Sequence, residues 1–244
     1  MTRWEPVLDS GEMPPVFVLM HSPLVGPATW RPVARELRSR GIDTLTPSLV
    51  DMGTGGEPYW PRVVSAVAAA VSDAAAGREL VLVAHSNAGL FVPMTNAGLT
   101  HRIRATVFAD ASLPAPTGET PVVPGEILGF LRGLADEDGL LPRWTDWFGA
   151  EETAALFPDE ATRREVTAEL PRLPLSYFEE NVPVPEGWDE SGCGYLQFSA
   201  AYDGSAGLAA ERGWPVERLP GGHLHQLIDP EAVADAVLRL GDSR

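Results

Sequence analysis

The chain has a single cysteine, Cys193, and no lysine at all. One cysteine excludes a disulfide framework within the chain and any metal site assembled from cysteines. Flanked by Gly192 and Gly194, it reads as a small residue entering a strand rather than a nucleophile. With lysine absent, all 18 basic residues are arginines, and 34 acidic residues outweigh them to a formal net charge of -16. So acidic a surface argues against nucleic acid and against anionic membranes, both of which attract basic patches. No apolar run is long enough to cross a membrane. Met1 to Pro6, with Arg3 and Glu5, lacks the apolar stretch of a signal peptide. These absences predict a soluble, cytoplasmic protein with neither nucleic acid nor membrane as partner. Oligomeric state leaves no trace in the sequence.

At 244 residues, 44% of them hydrophobic, the chain can build one large α/β domain with a substantial core. Pro15 to Met20 is a short continuous apolar run, typical of a strand buried on both faces of a parallel sheet. Trp30, Val33 and Leu37 then recur at helical spacing, and Ile42 to Pro47 reads as the next strand. After a glycine-rich loop at 52–59, Pro61 opens a helix whose apolar stripe includes Val63, Val67 and Val71. Residues 80–83 and 103–110 form two further strands. Strands and helices alternate with short connections, which implies parallel strands joined by crossover helices.

The rhythm breaks over residues 114–190. Short amphipathic pieces (126–135, 151–157 and 159–170) are separated there by prolines and glycines, and aromatics such as Trp144, Trp147 and Tyr177 are scattered among them. Strands resume at 195–201 and 214–219, and Asp229 with Pro230 caps a terminal helix. The expected architecture is a single α/β domain. Its core spans 1–113 and 191–244 around a mostly parallel sheet flanked by helices, and 114–190 is an inserted helical cap.

Residues 80–90, Leu-Val-Leu-Val-Ala-His-Ser-Asn-Ala-Gly-Leu, carry the chemistry. A strand that turns at once into a helix through a serine flanked by tiny residues is the layout of a nucleophile elbow. The turn demands small residues two before and two after Ser86; here they are Ala84 and Ala88, where glycines are usual. A serine hydroxyl needs a base within reach and a third group to orient that base. Behind an elbow the acid and then the histidine follow along the chain, and Asp203 and His223 meet that order. Each follows a predicted strand, at the carboxyl edge where open α/β sheets place their sites. Asp110, which ends the strand after the elbow's, competes with Asp203 for the acid. His225 is a rival to His223, His85 and His21 read as structural, and His101 falls on a surface loop.

These segments resemble the α/β-hydrolase superfamily along almost the whole chain. Val18-Leu19-Met20-His21-Ser22, with Trp30 nine residues after His21, is similar to that family's loop after an early strand. Ala-His-Ser-Asn-Ala-Gly is similar to its elbow, and Gly222-His223 with Pro230 seven residues on to its histidine loop. The resemblance implies Ser86 as nucleophile, His223 as general base and acid, and Asp203 as the orienting carboxylate, under a helical cap. His225 stands at the wrong distance from Pro230 for that loop, which favours His223. Asp203 occupies the family's more usual place for the acid, although some relatives place it where Asp110 lies.

One oxyanion donor is then the Asn87 N–H. The second should come from residue 23, but Pro23 has no N–H to give. Either Leu24 donates through a shifted loop, or the hole is incomplete, at a cost of about a hundredfold in rate. The expected function is a serine hydrolase acting on an ester or thioester of a small, fairly apolar molecule, with no cofactor and no metal. The alternative is a non-hydrolytic enzyme of the same fold, a lyase or cyclase with His223 as proton shuttle, or a ligand-binding member with little turnover.

Overall fold

The structure is a computed structural model and describes residues 13–242. The stretch Met1 to Pro6, read above for a signal peptide, lies outside the described residues. In chain order the elements are β1 (Val16–Met20), α1 (Arg31–Ser39), β2 (Thr44–Leu45), α2 (Trp60–Val71), β3 (Leu80–His85), α3 (Val92–Gly98) and β4 (Ile103–Ala109). Next come β5 (Gly118–Pro121), α4 (Gly125–Leu134), α5 (Ala150–Ala154), α6 (Glu160–Ala168), α7 (Leu175–Glu179) and β6 (Asn181–Val184). The chain closes with β7 (Cys193–Gln197), α8 (Asp203–Glu211), β8 (Val216–Arg218), α9 (His225–Ile228) and α10 (Pro230–Gly241).

Six strands form one sheet in the order β2-β1-β3-β4-β7-β8, and every pairing in it is parallel. Successive residues of a strand face opposite sides of the sheet. Phe17, Leu19, Val81 and Val83 therefore pack against Val33 and Leu37 of α1 and Val233 and Val237 of α10. Val16, Val18, Leu80 and Leu82 meet Val63, Val67 and Val71 of α2 on the other face. The continuous apolar runs are thus required by the double layer: both faces of β1 and β3 are covered, and every residue of both strands is buried. Each such side chain contributes about 1.5–3 kcal/mol by leaving water.

Residues 114–190 run between β4 and β7. They are not wholly helical: β5 and β6 pair antiparallel as a separate two-stranded sheet. This insertion joins the core on two sides. Tyr177, Phe178 and Trp188 enter the cluster around α2. Val166 and Leu170 pack with Val25 and Ala28 after β1 and with Leu224 beside His223. Glu169 clamps the same junction, accepting from the Ala28 N–H at 2.8 Å and pairing with Arg31. No helix among the described residues is long and apolar enough to cross a membrane.

Candidate active site

The register of the sheet sets two side chains at one level. His85 pairs with Ala109, so Ser86 and Asp110 are the next residues on neighbouring strands, both at the carboxyl edge. They are also the two described residues other than glycine with positive φ, at 58° for Ser86 and 43° for Asp110. Side chains strain the left-handed region by about 1–3 kcal/mol, a cost that persists where the surroundings over-determine the geometry. At Ser86 the strain belongs to the elbow. The strand ends at His85 and a 3-10 turn starts at Ser86 itself, running to Phe91. Gly89 lets that turn lie on the neighbouring loop, because a methyl group there would sit 2.3 Å from the Ser112 carbonyl oxygen. The Ser112 N–H in turn donates to the Ser86 carbonyl at 3.2 Å.

His223 Nδ1 donates to Asp110 Oδ2 at 2.7 Å. The carboxylate is fully buried, yet it has no lone pair to spare. Its Oδ1 accepts from the N–H groups of Phe198 and Ser199, both at 2.9 Å. Its Oδ2 also accepts from the Ser199 hydroxyl at 2.7 Å. Burial by itself raises the Asp110 pKa, but the His223 bond and the Ser199 donors outweigh it and hold the carboxyl below the ordinary range.

Asp203, the expected acid, is elsewhere. Strand β7 stops at Gln197, and Asp203 is the first residue of α8, where its carboxylate accepts from the Gln197 side-chain amide. The backbone after β7, where Asp203 was expected to stand as acid, instead supplies the N–H donors of Phe198 and Ser199 to a carboxylate that arrives from β4. Asp110 reaches His223; Asp203 does not.

The remaining histidines divide as their surroundings dictate. His85 is fully buried, and its Nε2 donates to the His223 carbonyl at 2.9 Å, with the two rings 4.6 Å apart. The residue before the serine therefore anchors the backbone of His223. Burial, with the neighbouring His223, pushes the His85 pKa down, so the ring is neutral. His21 donates from Nδ1 to the Ser22 carbonyl and accepts the Leu49 N–H at Nε2. Its burial lowers its pKa to about 4. The His225 ring packs on Phe198 at 5.6 Å.

The two expected oxyanion donors fare differently. Asn87 is the second residue of the 3-10 turn, and the first N–H groups of a helical turn have no partner within it. The Leu24 N–H, however, points to the Ser22 hydroxyl at 3.3 Å, and the Val25 N–H to the Ser22 carbonyl at 3.0 Å. The loop after β1 thus spends its donors on itself.

Two aromatic residues beyond the expected site residues stand beside Ser86 and His223. Tyr202 closes a short 3-10 turn after β7. Its ring lies parallel to His223, 5.0 Å between centroids and 7° between planes, and its hydroxyl is 3.4 Å from Ser86 Oγ. Among the described residues it is the hydrogen-bond partner of that oxygen. Trp144, from the insertion, sets its ring 5.8 Å from His223. A signal for Tyr202 existed: an aromatic residue directly after a strand at the carboxyl edge. Trp144 was legible as one of several aromatics scattered through 114–190; which of them reaches His223 depends on how that segment folds back. Among the described residues, no cluster of His, Cys, Asp and Glu is placed to hold a metal ion.

Comparison with known proteins agrees with the fold. A family model described as the alpha/beta hydrolase family matches residues 17–236. The esterase PIR7B of Oryza sativa subsp. japonica is 36% identical over 134 residues, which cover 51% of this chain and 47% of that protein. The chain thus aligns with about half the length of the rice relative. A carbendazim hydrolyzing esterase of Nocardioides sp. (strain SG-4G) is 27% identical over 255 residues, covering 92% of this chain and 99% of that one. Among solved structures, an extracellular alpha/beta-hydrolase from a Paenibacillus species is similar in fold. The TM-score is 0.74 at 18% identity, over 93% of this chain and 99% of that one.

Proposed function

Because the chain belongs to the alpha/beta hydrolase family, we propose that it is a serine esterase, cleaving an ester or thioester of a small, fairly apolar molecule. The observation that carries this reading is the buried Asp110–His223 hydrogen bond of 2.7 Å beside a serine held at φ 58°. With Nδ1 donating to Asp110, the imidazole lone pair stands on Nε2, the nitrogen that would take the Ser86 proton. Ser86 Oγ then attacks the acyl carbon, and the same ring returns the proton to the departing alcohol or thiol. Water, deprotonated in turn by His223, releases the acid. Asp110 keeps the ring in the required tautomer throughout and stays ionised. Asn87 N–H contributes one hydrogen bond to the oxyanion. The Trp144 ring beside His223 favours a substrate with an apolar body. Two relatives are named as esterases, which supports the reaction class.

A chromogenic short-chain ester tests the proposal. The wild type is expected to turn over, and Ser86→Ala to lose roughly a thousandfold or more of kcat. Equal rates in the two proteins would sink it. A second reading rests on Pro23: with no N–H at that position, the same serine and histidine would serve a lyase or a ligand-binding protein. Covalent labelling of Ser86 by a fluorophosphonate separates the two, since only a competent nucleophile reacts.

A further inference from the structure

The loop after β1, where a second oxyanion donor was sought, has none to offer at positions 23 to 25. Pro23 lacks an N–H, and the Leu24 and Val25 N–H groups are bonded to Ser22. One donor remains close to the serine oxygen, and it comes from a distant part of the chain. Building on the esterase reading, we infer that Tyr202 is a catalytic residue whose hydroxyl supplies the hydrogen bond to the oxyanion that Pro23 cannot.

Three observations support this role. Tyr202 Oη is 3.4 Å from Ser86 Oγ. When Ser86 attacks, its oxygen bonds the acyl carbon and the carbonyl π pair moves onto the carbonyl oxygen, which stays one carbon away from Oγ. A donor at this range can bond that oxygen, since catalytic hydrogen bonds are commonly long before substrate arrives and tighten in the reacting complex. The phenol is also held in place. Its ring is stacked on His223 at 7°, and its backbone lies in the 3-10 turn leading into α8. Finally, it is a donor at working pH: burial pushes its pKa up to about 12, so it carries its proton. No proton is transferred in this role; Tyr202 keeps its own, while His223 handles the one from Ser86.

Tyr202→Phe isolates the oxygen, because the ring that stacks on His223 is retained. Acylation and deacylation are followed separately by stopped flow with p-nitrophenyl acetate, and Ser86 labelling by a fluorophosphonate is timed in parallel. Both chemical steps are expected to slow about a hundredfold, the usual loss for one oxyanion donor, with KM changed less than about threefold. Phosphonylation should slow as well, because the phosphoryl oxygen uses the same donors. The melting temperature is expected to stay within about 2 °C of the wild type. Slowing of acylation alone would assign the hydroxyl to the leaving group and overturn the inference; so would unchanged rates. A wild type that neither labels nor cleaves ester removes the esterase reading, and this inference with it, whereas an active, labelled wild type with an equally active variant removes the inference alone.

Discussion

Two residues in the left-handed region, Ser86 and Asp110, stand side by side on adjacent strands, and both are more than nine-tenths buried. Strain of that kind is stable only when neighbouring bonds over-determine the backbone. At Asp110 those bonds are visible: its N–H donates to the Leu196 carbonyl at 2.7 Å, while its carboxylate collects Phe198, Ser199 and His223. The contrast with Asp203 leads to a direct comparison. Asp110→Asn is expected to lower kcat by about a thousandfold or more, because an amide in that position favours the wrong imidazole tautomer. Asp203→Asn, at a carboxylate that accepts from the Gln197 amide and not from His223, is expected to stay within about threefold. Steady-state ester kinetics on the two variants decides between the two carboxylates, and the reverse ranking would give the acid's role to Asp203.

The elbow is an element in which packing and chemistry meet. Its 3-10 turn lies against the loop following β4 so closely that Gly89 admits no side chain: the methyl of an alanine would contact the Ser112 carbonyl at 2.3 Å and Phe108 at 3.2 Å. Backbone cannot swing aside as a flexible side chain can, so the turn must lift. Gly89→Ala is expected to cost about 2–4 kcal/mol, read as a lower urea midpoint at unchanged slope. A loss under about 0.5 kcal/mol would mean that the loop yields freely. The insertion illustrates the other side of element-scale reading. Its helical pieces follow from amphipathic spacing, whereas β5, Gly-Glu-Thr-Pro, has no apolar alternation and is mostly exposed. It is a strand because β6 lies opposite it, and no local pattern announces that.

Across the whole molecule, stability at mildly acid pH rests on histidines that cannot take a proton without breaking their surroundings. His21 accepts the Leu49 N–H at the nitrogen that would be protonated. Its folded pKa is lowered to about 4, and that of His85 is lowered as well, while an unfolded histidine titrates near 6.5. The unfolded chain therefore binds protons first. The stabilisation is complete above about pH 6.5 and declines as pH falls, by up to about 1.4 kcal/mol per pH unit for each ring. Urea unfolding at pH 7.5 and at pH 5 is expected to differ by about 2–4 kcal/mol, lower at pH 5. The carboxylates behind the net charge of -16 remain mostly ionised over that window, so relief of self-repulsion does not mask the effect. Below about pH 4 the lowered pKa of Asp110 adds a further loss, since that contribution exists only above the unfolded carboxylate value. Equal stability at the two pH values would show that the rings are hydrated and titrate normally.

What was legible in the sequence is whatever depends on neighbours along the chain. The apolar runs of β1 and β3 follow from burial on both faces, the Asp229–Pro230 cap is made by the Ala232 N–H three residues on, and the elbow is a contiguous stretch of small residues around Ser86. The order of serine before histidine is likewise a property of the chain. The partner of His223 is not. Asp110 lies 113 positions away from it, and Asp203, nearer and equally placed after a strand, is turned aside because β7 ends earlier than its residue types suggest. Choosing between two carboxylates, tying up the Leu24 N–H and bringing Tyr202 onto Ser86 all depend on how strands register and where loops close. Those contacts are a few ångströms long between residues far apart in sequence, and only the packed sheet brings them together.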